Sequence, residues 1–130
     1  MDNGVEQMVM DLYEDQKVKQ MKPVDLVHLS KQTFGSKDLE TEVLGLFLSH
    51  SIQCLERLKA AETDKDWADA AHSIKGSAQA IGAWIIGERA EVYERQAANG
   101  QLSDKNAACD EIEQLVDETN SYITGLIEAA

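Results

Sequence analysis

His72, Lys75 and Gly76 are the residues of this 130-residue chain whose types and spacing best suit chemistry. They fall in Ala71-His72-Ser73-Ile74-Lys75-Gly76-Ser77-Ala78-Gln79-Ala80-Ile81-Gly82, a stretch that otherwise reads as helix. Residues at i, i+3, i+4 and i+7 share one helical face, so His72, Lys75, Gly76 and Gln79 make a single patch. Imidazole, with an intrinsic pKa of about 6.5, keeps a lone pair near neutral pH and is a competent nucleophile. Phosphoryl transfer asks a protein mainly for positioning and for positive charge beside the moving oxygens, and Lys75, one turn from His72, can supply that charge. A glycine inside a helix costs about 1 kcal/mol relative to alanine. Beside a nucleophile, Gly76 clears bulk that would obstruct a second protein. The set suits a phosphoryl-accepting histidine presented to a partner.

The direction of the patch follows from its helix. Trp67, Ala71, Ile74, Ala78 and Ile81 repeat at alternating steps of four and three and form the core stripe. Counting about 100° per residue from the centre of that stripe, Lys75 lies roughly 80° away, Gln79 about 120°, His72 about 140° and Gly76 about 180°. The patch therefore faces water. An ordinary solvent-exposed histidine remains the alternative on spacing alone.

The elements that must carry this patch read as helices. One proline, 5% aromatic residues and many Ala, Leu, Glu, Lys and Gln favour helix throughout. Residues 1–22 are polar and weakly periodic and are expected to be a mobile extension or a loosely docked helix. Pro23 suits a first helical turn, opening a short helix that ends near Thr33-Phe34-Gly35. Four longer helices are expected over roughly 38–61, 64–81, 84–99 and 104–127. Their caps are Ser36, then Thr63 with Asp66 three residues on, and Ser103, and Gly100 closes the third. Apolar rows run along the first (Val43, Leu44, Phe47, Leu48, Leu55, Leu58), the third (Ile86, Ala90, Tyr93, Ala97) and the last (Ala108, Ile112, Leu115, Thr119, Tyr122, Leu126). Short connections make sequential helices antiparallel, giving an all-α, antiparallel up-down four-helix bundle over 23–130 with a short additional N-terminal helix. The stretch Ile81-Gly82-Ala83-Trp84 reads as either a tight turn or a kink.

Composition narrows the partners. With 12 basic and 24 acidic residues the formal charge is −12, which argues against nucleic acid and against anionic membrane surfaces. No run of 18 apolar residues marks a transmembrane helix, and Met1-Asp2-Asn3-Gly4 has no secretory character. Cys54 and Cys109 stand alone and, without an export signal, read as reduced residues of a cytoplasmic protein.

At residues 72–82 the chain resembles the histidine-containing phosphotransfer (HPt) domains of phosphorelays, whose motif is roughly H-x-x-K-G-[SA]-[SA]-x-x-[ILV]-G. Every motif position is met, from His72 to Gly82. The resemblance extends from about Pro23 to the C-terminus and leaves residues 1–22 outside. It implies that His72 is the phosphorylated residue, that Lys75 steadies the phosphoryl group, and that Gly76, Ser77 and Gln79 serve docking. Arg89 is a further candidate for orienting a partner, with Arg57 and Lys59 behind it. The implied partners are response-regulator receiver domains, alone or fused to a hybrid sensor histidine kinase, which bring the phospho-aspartate and the Mg²⁺. This chain itself would bind no cofactor and no metal, would not phosphorylate itself from ATP, and would act as a monomer.

Other residues read as supporting. His28 and His50 lack a Lys-Gly companion and read as structural or surface histidines. Trp84 and Phe34 read as core or packing aromatics, and Asp110-Glu111, Glu113 and Asp117-Glu118 as the solvated side of the last helix. Two competing functions stand beside the carrier. One is a receiver-binding adaptor or phosphate sink with the same bundle, for which a nucleophile is unnecessary. The other is a metal-binding bundle using His72 with Asp69, disfavoured because bundle metal sites project inward.

Overall fold

In the computed structural model, residues 4–5 and 22–129 are described. The expected N-terminal extension therefore lies outside the described residues, apart from helical Gly4 and Val5 and from Lys22. The rest is five helices: α1 Leu26–Gln32, α2 Lys37–Ala60, α3 Asp64–Ile81, α4 Trp84–Ala98 and α5 Lys105–Ala129. There is no strand among the described residues. Helices α2 to α5 form a ring in which α3 packs on α2 and α4, and α5 on α4 and α2, while α1 lies on α3. Among the described residues, no helix is long and apolar enough to cross a membrane.

Local chemistry sets the boundaries. Ser36 Oγ accepts from the Leu39 amide at 3.2 Å and Thr63 Oγ1 from the Asp66 amide at 3.0 Å, so the expected caps of α2 and α3 stand. Two starts differ from expectation. Asp25, not the Pro23 turn, opens α1, because its Oδ1 accepts from the His28 amide at 3.1 Å. Asp104, not Ser103, caps α5, because its Oδ1 accepts from the Ala107 amide at 2.9 Å. Phe34 departs further from expectation. Phe34 and Gly35 both take left-handed backbone, φ 55° and 73°, and this reversal swings the Phe34 ring outward, where it is 92% exposed rather than packed.

The core stripe of α3 is buried in full: Trp67, Ala71, Ile74, Ala78 and Ile81 are almost inaccessible. Each buried isoleucine contributes about 1.5–3 kcal/mol. They meet Leu44, Phe47, Leu55 and Leu58 from α2 and Ile86, Ala90 and Ala97 from α4. On α5 the deepest residues are Ile112, Val116 and Ile123, while Leu115, Tyr122 and Leu126 sit at the edge. Because α5 packs on two neighbours, its inward direction falls between the expected row and the next.

The ambiguous stretch 81–84 is a tight turn. Gly82 caps α3 in left-handed conformation, φ 77°, and its carbonyl accepts from the Asp25 amide at 3.0 Å. A Cβ at position 82 would stand 2.8 Å from Asp25 Cβ, so only glycine fits. Two residues thus reverse the chain, and α4 returns along α3. Gly87 lets the helices close up: a Cβ there would lie 3.2 Å from Gln79 Cγ and 3.9 Å from the Lys75 carbonyl.

Candidate functional site

The buried stripe of α3 turns the opposite face outward, as its periodicity requires. The His72 side chain is 66% exposed and that of Lys75 19%, while Gly76 and Gln79 are exposed. A Cβ at Gly76 would meet nothing within 4 Å among the described residues. The glycine is therefore not required by packing within the chain.

The residue that organises the patch comes from α4. Glu94 Oε1 lies 2.7 Å from His72 Nδ1 and Glu94 Oε2 lies 2.9 Å from Lys75 Nζ. One carboxylate thus holds both the imidazole and the ammonium. Partial burial raises the Glu94 pKa, but hydrogen bonds and charge from Lys75 and His72 outweigh it and hold the carboxyl below its usual range. An ionised carboxylate is acceptor-only, so it accepts the Nδ1 proton. That leaves Nε2 as the nitrogen with the lone pair.

Glu94 did not emerge from sequence reading, yet the signal existed. With the reversal at Gly82–Ala83, Glu94 lies about as far after the turn as His72 lies before it. Antiparallel pairing then brings the two together across the α3–α4 seam that Gly87 narrows.

Other candidates take different places. Ser77 is half-buried and lines an open groove of about 390 Å³ between α2 and α3, with Leu46, His50, Gln53 and Ala80. Arg89 is not brought to His72. Its Nε donates to Glu111 at 3.1 Å and its Nη2 to the Tyr93 hydroxyl at 3.0 Å, tying α4 to α5. Glu111, and Glu113 through Lys59, are therefore interhelical partners rather than purely solvated charges. Lys59 is likewise engaged, whereas Arg57 donates to Ser73 Oγ at 3.1 Å.

The remaining histidines are structural. His28 Nε2 donates to the Gln79 carbonyl at 3.1 Å, and its ring meets Trp84 edge-on at 4.7 Å. Trp84 Nε1 donates to Asp25 Oδ2 at 3.0 Å, and this bond together with the His28 amide lowers the Asp25 pKa. These contacts fasten α1 onto the α3–α4 turn. His50 Nε2 lies 3.3 Å from Cys54 Sγ within α2. Asp69, considered with His72 as a metal pair, bonds Lys65 at 3.1 Å. Among the described residues, no cluster of three or more His, Cys, Asp or Glu is placed to hold a metal ion.

The fold is shared with known proteins. The Hpt domain model matches residues 42–122, spanning most of α2, all of α3 and α4 and most of α5. No curated protein matches the chain. Among solved structures, histidine-containing phosphotransfer protein B (HptB) from Pseudomonas aeruginosa PAO1 is similar in fold. Its TM-score is 0.79 at 20% identity, over 85% of this chain and 99% of that one. With the family model covering most of the bundle, this chain belongs to the Hpt domain family, the histidine phosphotransfer domains that work with receiver domains and kinases in phosphorelays.

Proposed function

We propose that this protein is a phosphocarrier in which His72 accepts a phosphoryl group from the phospho-aspartate of one receiver domain and passes it to the aspartate of another. The observation that carries this reading is the shared Glu94 carboxylate, which fixes the His72 Nδ1 proton and holds Lys75 beside the ring. In the forward step the Nε2 lone pair attacks phosphorus. The N–P bond forms, the P–O bond to the aspartyl carboxylate breaks, and the carboxylate leaves with its electron pair. The Nδ1 proton stays on the ring, and the positive charge that develops there is offset by Glu94. Delivery reverses these changes and returns a neutral imidazole.

Lys75 supplies the positive charge that the transferring oxygens need. Gly76 gives the incoming receiver access to Nε2, and Ser77 and Gln79 offer polar contacts at its edge. Mg²⁺ enters with the receiver, and this chain contributes no ligand to it. The working unit is a monomer in the cytoplasm, in keeping with the free, buried thiols of Cys54 and Cys109.

Incubation with a receiver charged by acetyl phosphate in the presence of Mg²⁺ tests this. The expected product is acid-labile, alkali-stable label on this chain, lost in His72→Gln and kept in His28→Gln and His50→Gln. Label that persists in His72→Gln overturns the assignment, and a receiver that binds without any label on the wild type favours the adaptor.

A further inference from the structure

Six of the ten lysines and arginines among the described residues are neutralised by a carboxylate of the chain. Lys37 pairs with Glu40, Lys59 with Glu113, Lys65 with Asp69, Lys75 with Glu94, Arg89 with Glu111 and Lys105 with Asp64. In a chain of net charge −12 that is expected of any basic side chain within reach of a carboxylate. Arg57 is different. Among the described residues it has no carboxylate partner, and its Nη1 donates to a neutral acceptor, Ser73 Oγ, at 3.1 Å. The Ser73 hydroxyl in turn donates to the Asp69 carbonyl at 3.2 Å, which fixes the acceptor. A guanidinium held by one of its five donors keeps a fork free for a planar, doubly accepting group.

The position of this fork matters. Ser73 follows His72 directly on α3 and points to α2, whereas the His72 ring is held by Glu94 on α4. Arg57 and Glu94 therefore flank the nucleophile from opposite sides. Arg57 also lies one turn beyond Gln53, and Ser73 one turn before Ser77, so the pair closes the His72 end of the α2–α3 groove that Gln53 and Ser77 line. A protein that covers His72 must pass over one side or the other. Toward α4 it meets a carboxylate, and toward α2 it meets an unneutralised arginine.

We propose that Arg57 is a specificity-determining residue of the transfer reaction, receiving a carboxylate side chain from the docking face of the receiver. This inference rests on the phosphocarrier reading. The ligand is assigned to the partner because Lys75 already serves the phosphoryl side and because Ser73 directs Arg57 away from the His72 ring. A receiver that carries a phospho-aspartate and divalent-cation ligands is acidic around its own site. Approaching a protein of charge −12, it gains orientation from the free fork that Ser73 holds beside the target.

The test is single-turnover transfer from a charged receiver, run over a range of receiver concentrations and salt. Arg57→Glu is expected to raise the half-saturating receiver concentration about tenfold or more, and Arg57→Ala about threefold. The maximal transfer rate and the lifetime of phosphohistidine should stay within about twofold. Arg57→Ala should also flatten the salt dependence, since one screened charge pair is gone. Arg57→Lys keeps the charge but not the fork, and is expected to fall between wild type and Arg57→Ala.

Unchanged half-saturation in Arg57→Glu overturns the proposal. So does a loss confined to the maximal rate or to phosphohistidine lifetime, which would place Arg57 on the phosphoryl group. A change in melting temperature alone would reduce it to a charge at the C-terminal end of α2. Absence of label on the wild type with every receiver tried would instead remove the phosphocarrier reading, and this inference with it.

Discussion

Glu94 on α4 accepts from His72 Nδ1 at 2.7 Å, across the α3–α4 seam and 22 positions along the chain. The consequence is a choice of tautomer. An isolated imidazole can place its proton on either nitrogen, and only the Nδ1–H form offers Nε2 as nucleophile. Because the same carboxylate holds Lys75, a single side chain organises both the His72 imidazole and the Lys75 ammonium.

Replacing Glu94 should therefore slow chemistry more than it weakens docking. In Glu94→Ala the maximal transfer rate is expected to fall about tenfold, the equivalent of losing one charge-assisted hydrogen bond of about 1.4 kcal/mol. Glu94→Gln, whose carbonyl oxygen still accepts from Nδ1, should recover much of it. Nitrogen NMR of the His72 ring provides the direct readout: Nδ1–H in the wild type, a mixed tautomer in Glu94→Ala. An unchanged tautomer in Glu94→Ala would remove Glu94 as a positioning residue.

The contrast between His72 and Glu94 shows what periodicity can carry. The α3 stripe is set by residues within one helix, so Trp67, Ile74 and Ile81 declared both the core and the outward face of His72. Ser36 and Thr63 were readable for the same reason, since a cap acts within three residues. Glu94 depends on the register between two helices, which a turn and a close-packing glycine decide jointly. Phe34 escaped because aromatic residues usually pack, and nothing local announces that two consecutive residues will take left-handed backbone. On α5 the row was displaced because a helix touching two neighbours buries the arc between them.

Gly76 separates the requirements of the fold from those of function. With open space at its Cβ position, Gly76→Ala should stabilise the bundle by about 0.5–1 kcal/mol through helix propensity alone. Gly76→Leu should also fold. Its transfer rate is nonetheless expected to fall by about tenfold or more, because displacement of reacting atoms by about 1 Å can cost on the order of a hundredfold. Thermal denaturation and single-turnover transfer on the same variants check both halves. A Gly76→Leu protein with wild-type transfer would mean that no partner approaches there.

Acid stability follows from three carboxyls held below their usual range. Asp25 is lowered chiefly by the Trp84 indole, Glu111 by the Tyr93 hydroxyl and then Arg89, and Glu94 by Lys75 and His72 against its partial burial. A group whose pKa is lower folded than unfolded stabilises the fold above the unfolded value, and that stability is lost as pH falls through the folded value. The bundle should therefore keep these contributions above about pH 5 and lose them progressively below about pH 4. Chemical denaturation at stepped pH measures the slope. Glu94→Gln and Trp84→Phe should each flatten it, and an unchanged slope in both would show that other groups control acid unfolding.

Gly82 and Gly35 form a controlled pair for the cost of a side chain in left-handed backbone. Both take similar φ, 77° and 73°, so alanine at either costs about 1–2 kcal/mol from conformation. At Gly35 nothing among the described residues lies within 4 Å of the added Cβ, and the cost there is conformational. At Gly82 the Cβ would stand 2.8 Å from Asp25 Cβ and 3.1 Å from the Asp25 carbonyl. This overpacking adds about 1–3 kcal/mol. It would also push α1 away from the turn and strain the Trp84–Asp25 and His28–Gln79 bonds that fasten it. Gly82→Ala is therefore expected to lower the melting temperature at least about twice as far as Gly35→Ala, with Trp84 fluorescence shifting toward solvent only in Gly82→Ala. Equal losses in the two variants would mean that α1 is not held by contact with the turn.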